Sequence, residues 1–313
     1  MAEQLKINAK REICLITIRT RLCELLFINN ARLQKEVMAY LAKYQQIYGV
    51  VIFGFILMGN HYHLIAMFPN GNRHLFEQVF NRIFANILKR YLNVYRGGPV
   101  WARRYRPQAL LTAKDVLNYF FYLALNPISS GIVKKLADYN GFNSYYLSLT
   151  GEQKKFELID WRDYKNRKRY NKTLKPKDCL KTYTLVISRL PGHEQDSQEE
   201  YRAFLEKERQ IRSTEIIASR EKDGRGFMGK EKMLKQQAGS FPKHSKIARR
   251  YSHYSVALSE DKVLLAQYIS NYFEILRRHR EASRLYRLGK LDVEFPVGTF
   301  RPTISKGIAL TLV

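Results

Sequence analysis

Two apolar runs, VVIFGFIL at Val50–Leu57 and HYHLIAMF at His61–Phe68, are separated only by Met58, Gly59 and Asn60. Runs of this length joined by so short a connection signal a hairpin of neighbouring antiparallel strands. The segment EICLITIRT at Glu12–Thr20 reads as another strand. Between them, a helix from a cap at Asn30 to about Gln46 places Leu33, Val37, Leu41 and Tyr44 on one stripe. A second helix is expected over about Leu75–Tyr95, where Phe76, Val79, Phe80, Ile83, Ile87 and Tyr91 recur at helical spacing. A short apolar strand at Leu110–Thr112 and a helix from Asp115 to about Leu125 follow, with Pro127 ending that helix. The order strand, helix, hairpin, helix, strand, helix predicts an α+β fold: a ferredoxin-like antiparallel sheet with helices on one face.

The expected organisation is an α+β domain at 1–150, a basic linker at 151–190 around RDYKNRKRYNKTLKPK, and a mainly helical basic extension at 191–313. In the extension, helical periods run over Gln198–Lys222 and Asp261–Leu288. With 54 Lys+Arg against 28 Asp+Glu the chain carries a formal charge of +26, which points to a polyanion partner. The 21 Tyr and 17 Phe supply faces on which unpaired bases can stack, favouring single-stranded nucleic acid. The longest apolar run, Val50–Met58, is far short of the ~20 residues a membrane span needs. Cys14, Cys23 and Cys179 form no CxxC pair and are expected as reduced thiols. The protein is expected to be soluble and cytoplasmic, associated with the nucleoid, and its state, monomer or homodimer, is left open.

His61 and His63 are two apart on a predicted strand, so both imidazoles project from one face, as joint coordination of a metal ion requires. Tyr122 and Asn126 are four apart on a predicted helix and share a face, which makes the Asn126 amide oxygen a candidate third donor and Tyr122 a candidate nucleophile beside it. Two imidazoles, an amide oxygen, a phosphate oxygen and water suit an octahedral Mg²⁺ or Mn²⁺ ion. A free phenol, with a pKa near ~10, needs such a cation to attack at neutral pH. Tyr119 is the competing tyrosine, but its partner one turn on is Leu123, which cannot bind metal. Just before this helix, Trp101, Arg103, Arg104, Tyr105 and Arg106 interleave aromatic and basic side chains, the composition of a surface for single-stranded or hairpin DNA. Lys243, Lys246, Arg249 and Arg250 could extend that footprint. GRGFMGK at Gly224–Lys230 has the glycine and lysine spacing of a phosphate loop, but Glu231 replaces the magnesium-binding hydroxyl and no strand leads into it, so nucleotide binding is rejected.

Taken in order, MGNHYHLIAMFP, GPVWARRYRP and YLALNPISSG resemble the motifs of single-tyrosine HUH transposases, most of all the REP-associated tyrosine transposases, over about residues 10–150. The resemblance implies an HUH nuclease fold with His61 and His63 as metal ligands, Tyr122 as nucleophile and Asn126 as the third ligand. It also implies cleavage of single-stranded DNA beside a hairpin through a 5′-phosphotyrosine link that can be reversed by the freed 3′-hydroxyl. The alternative from another class is a domesticated DNA-binding protein that keeps the fold without turnover. The chain departs from the family pattern after Asn126-Pro127, where Ile128, Ser129 and Ser130 stand in place of a basic residue, and at Gly59, read as a turn glycine.

Overall fold

The computed structural model describes residues 5–92, 97–242 and 255–303. β1 (Ile13–Arg19) leads into α1 (Ala31–Tyr48), β2 (Val51–Leu57), β3 (His61–Met67), α2 (Arg73–Tyr91), β4 (Arg106–Leu110) and α3 (Ala113–Ala124). Short helices α4 (Asn126–Ser129) and α5 (Tyr145–Thr150) come next, then β5 (Lys154–Ile159), α6 (Trp161–Lys168) and β6 (Leu180–Leu185). The chain continues through α7 (Gln198–Lys222), α8 (Lys230–Leu234), β7 (Ala257–Leu258) and α9 (Lys262–Arg287). The main sheet has the order β2-β3-β1-β4-β7. It is antiparallel except for the parallel β4/β7 pair, and β5 and β6 form a separate antiparallel pair.

Local signals in the sequence account for the element ends. Asn30 caps α1 by accepting from the Leu33 amide, and Gly49 stops it in the left-handed conformation (φ +63°) that a side chain would resist. Thr112 and Asp115 form a capping box at the start of α3. Pro127 does not end the helical path as expected. α3 closes at Ala124, Leu125 turns the chain (φ −94°, ψ 6°), and Pro127 falls in the first turn of α4, where its missing N–H is not needed.

The α+β class holds, but the sheet is covered on both faces rather than one. Strand residues such as Cys14, Ile16, Phe55, Tyr62 and Leu64 pack under α1 and α2, with Phe76, Phe80 and Phe84 at the centre. The alternate strand residues Leu15, Phe53, Ile56 and Ile65 pack on Phe120, Phe121 and Leu123 of α3. α3 is itself covered, because Tyr145 of α5 and Tyr201 and Leu205 of α7 are buried in the same cluster.

The later residues also pack on this domain. The 151–190 segment, expected as a linker, holds β5 and β6, and buries Phe156 and Leu185 in the core against α1. The described residues of 191–313 hold α7, α8 and α9, and they add β7 to the sheet edge. They also tie to α3, with Asp115 accepting from the Glu260 amide and the Ser259 hydroxyl. Among the described residues no helix is long and apolar enough to cross a membrane, and the three cysteines are buried free thiols.

Leu205 is fully buried among Phe120, Phe121 and Tyr145, so Leu205→Ala should lower unfolding stability by about 2–5 kcal/mol in chemical denaturation. A loss under about 0.5 kcal/mol, the range of an exposed site, would show that α7 is not part of this core.

Candidate metal and nucleophile site

β3 alternates as its sequence requires. Tyr62 turns into the α1/α2 core, where its hydroxyl donates to Asn81 Oδ1 (2.8 Å), and His61 and His63 turn to the opposite face. The two imidazole rings meet edge to face with centroids 4.8 Å apart. Each ring is held through Nδ1: His61 at 2.7 Å from Asn60 Oδ1, and His63 at 2.7 Å from the hydroxyl of Thr17, its partner across the β1/β3 ladder. With the proton on Nδ1 in both rings, each Nε2 lone pair is left for a ligand-type contact.

The opposite wall comes from α3 and α4. Leu125 N still donates to Phe121 O, and past the turn Ser129 N donates to Leu125 O and Ser130 N to Asn126 O, all at 2.9 Å. Asn126 accordingly stays one turn beyond Tyr122. Its amide is buried and its Nδ2 lies 3.4 Å from His63 Nε2, while the Tyr122 ring sits 5.5 Å from the His63 ring. Tyr122 remains 49% exposed, so part of its side chain is open to solvent. Tyr119 meets Tyr122 edge to face, with centroids 5.8 Å apart, but makes no ring contact with either histidine. Ser129 and Ser130 both donate their hydroxyls to Asn126 O, a use for the residues that depart from the family pattern.

Burial holds both imidazoles neutral. His61 is pushed well below its usual value by burial, then by His63 and by the Arg19 guanidinium; His63 is lowered to about 3 by burial and then Arg19. Tyr122 is raised by burial, with Arg19 acting in the other direction, so its phenol keeps its proton at neutral pH. Among the described residues there is no group of three or more His, Cys, Asp or Glu suited to a metal ion. The donor set here is two neutral imidazoles and one amide, and rotating the Asn126 amide half a turn exchanges Nδ2 for Oδ1. Adjacent donors of an octahedral Mg²⁺ ion with bonds of ~2.1 Å stand about 3 Å apart, close to the spacing of the Asn126 amide and His63 Nε2. That donor pair, with the His61 imidazole beside it, is chemically suited to such an ion.

The basic and aromatic run divides. The Trp101 indole packs on Phe27, Tyr62 and Phe84 and donates to Asn81 O at 3.0 Å, and Tyr105 lies under the Lys6 ammonium with its pKa pushed up to about 12, chiefly by burial. These two rings serve packing rather than an open stacking surface. Arg103 and Arg104 are exposed, and Arg106 pairs with Thr17, on the site face of the sheet. Lys243, Lys246, Arg249 and Arg250 lie outside the described residues. In the rejected phosphate loop, the Met228 and Gly229 amides donate to Gly131 O and Ile132 O, so they are not presented to a ligand. Gly59 does not adopt a left-handed backbone; a Cβ there would come within 2.9 Å of Leu25 and Ile28, which clamp the hairpin turn.

Three site neighbours escaped the sequence reading: Thr17, Arg19 and Asn60. Thr17 and Arg19 become visible only once β1 is registered against β3. Asn60 could have been noticed as the polar neighbour of His61.

No family model matches the chain, and no curated protein matches it. Among solved structures the chain is similar to one described as the structure of the REP associates tyrosine transposase bound to a REP hairpin. The similarity is 18% identity with a TM-score of 0.41, over 48% of this chain and 86% of that chain. A likeness at this level assigns no residue, and the site rests on its own geometry.

The depressed His63 pKa has a measurable consequence. The unfolded chain takes up a proton near pH 6.5 that the folded chain refuses until about pH 3, so stability is complete above 6.5 and falls as pH drops through that interval. With chelator present, urea unfolding of the wild type should lose stability more steeply over this range than His63→Gln. Identical slopes would contradict a buried neutral His63.

Proposed function

We propose that the chain is a divalent-metal-dependent single-strand DNA endonuclease and strand transferase, acting beside DNA hairpins in the manner of the REP-associated tyrosine transposases that its motifs resemble. The observation that carries this reading is the convergence on His63: the Asn126 amide at 3.4 Å and the half-exposed Tyr122 ring at 5.5 Å, with His61 alongside. His61, His63 and Asn126 would hold Mg²⁺ or Mn²⁺, and Tyr122 is the nucleophile. When bound, the ion polarises the scissile phosphate and favours the phenolate.

Tyr122 Oη attacks phosphorus and forms the P–O(Tyr) bond as the P–O3′ bond breaks. The phenolic proton goes to solvent, and the departing 3′ oxygen takes a proton to become a hydroxyl. One phosphodiester is exchanged for another, so no nucleotide cofactor is consumed and the 3′-hydroxyl can reverse the step. Thr17 and Asn60 orient the imidazoles, and Ser129 and Ser130 anchor Asn126. Residues 1–150 supply the chemistry. The later residues brace α3 and enlarge the basic surface that, with Arg103, Arg104 and Arg106, follows the DNA backbone.

Tyr122→Phe removes only the hydroxyl, so DNA binding should persist while the covalent protein–DNA adduct falls to background; Tyr119→Phe should retain the adduct. Mass spectrometry of the peptide left on a hairpin-bearing single strand after incubation with Mg²⁺ or Mn²⁺ reads the attachment point. An adduct mapped to Tyr119, or normal cleavage by Tyr122→Phe, would refute the assignment. Tight DNA binding with no adduct from the wild type on any hairpin strand would favour the binding-only reading.

A further inference from the structure

β1 ends at the candidate site on Arg19. Its Cα pairs with His61 across the β1/β3 ladder, two residues beyond the Thr17/His63 pair. Residues directly opposite in an antiparallel ladder share a face, and the Thr17 hydroxyl bonded to His63 Nδ1 shows which face it is. Arg19 therefore stands next to His61 on the face that carries both imidazoles. It is half-buried, and among the described residues no carboxylate lies within ion-pair range of its guanidinium.

Three other buried or half-buried arginines have guanidinium partners: Arg73 in Glu12 and the Ile7 carbonyl, Arg212 in Glu208 and Asn118, and Arg220 in the Ser129 and Gly226 carbonyls. A partly desolvated cation left without a counter-ion is costly unless an anion arrives to meet it. The charge of Arg19 bears on His61, His63 and Tyr122 together, so the space these groups line is also the space it serves. Its carbonyl accepts from Ala102 N at 2.9 Å, which brings the exposed Arg103 and Arg104 alongside.

We propose that Arg19 is the phosphate-binding residue of this site, its guanidinium donating to the non-bridging oxygens of the phosphodiester that Tyr122 attacks. This rests on the strand-transfer reading above. Arg19 makes and breaks no covalent bond; its two-pronged fork fits a phosphate and neutralises the charge that grows on those oxygens as phosphorus becomes five-coordinate.

The test uses the full chain and a pool of single strands carrying one fixed hairpin stem with randomised flanks. Strands recovered as covalent adducts of the wild type define a substrate, which is then made with either the normal phosphodiester or a neutral methylphosphonate at the scissile position. On the phosphodiester, Arg19→Ala should slow adduct formation by about 100-fold, the scale on which removing one transition-state donor acts, with Arg19→Lys intermediate. On the methylphosphonate, which lacks the anionic charge of the phosphodiester and keeps a single non-bridging oxygen, the gap between wild type and Arg19→Ala should narrow to less than about tenfold. Arg19→Gln, nearer in length, serves if the alanine variant does not fold.

A variant as fast as wild type on the phosphodiester, or a defect of equal size on both substrates, would overturn the role of Arg19 while leaving the nucleophile assignment standing. Failure of the wild type to form an adduct with any strand in the pool would overturn the strand-transfer reading and this inference with it.

Discussion

The register of β3 against its neighbours governs the molecule. Side chains on a strand alternate, so a slip of one residue would send Tyr62 to the α3 face and drive His61 and His63 under α2. The position of Tyr62 prevents this: its ring lies among Phe55, Phe80 and Phe84, and its hydroxyl reaches the Asn81 and Glu77 side chains. Asn81 in turn bonds Glu77, and its carbonyl receives the Trp101 indole. A buried, hydrogen-bonded tyrosine between two histidines is thus the reason both imidazoles face the same way, and Thr17 and Arg19 join them because the β1 register follows from that of β3.

The second wall depends on residues far along the chain. Arg220 of α7 donates to Ser129 O at the end of α4, lies over the Phe227 ring, and fills the place that a side chain at Gly131 would need. Arg212 donates to Asn118 and lies over Phe121, while Asp115, which caps α3, also receives the start of α9. Tyr122 and Asn126 are therefore presented by a helix pair gripped from outside, and the basic extension is a structural part of the site's support.

What could be read from the sequence follows the range of the forces involved. The β2/β3 hairpin, the caps of α1 and α3, and the shared faces of His61 with His63 and of Tyr122 with Asn126 are local consequences of chain geometry, and they were legible. Thr17 and Arg19 were not, because their place beside the histidines is a pairing between residues some forty apart in the chain. Nor does composition say which way a ring faces: Trp101 and Tyr105 sit in a run that looks like a stacking surface, yet their rings are spent on packing and only the arginines remain outward. Likewise Phe156 and Leu185 lie in short strands that also carry Lys154, Lys155 and Lys181, and their place in the core depends on packing against α1, a contact that their own neighbours in the chain do not signal.

The central claim is that two imidazoles from β3 and an amide from α4 share one ion beside Tyr122. Anomalous diffraction from crystals of the full chain soaked in Mn²⁺ measures this directly. The expected result is a single strong peak about 2.1 Å from His61 Nε2, His63 Nε2 and Asn126 Oδ1, lost in a His61→Ala/His63→Ala variant. At saturating Mn²⁺, a peak held by other residues, or no peak between β3 and α4, would contradict it.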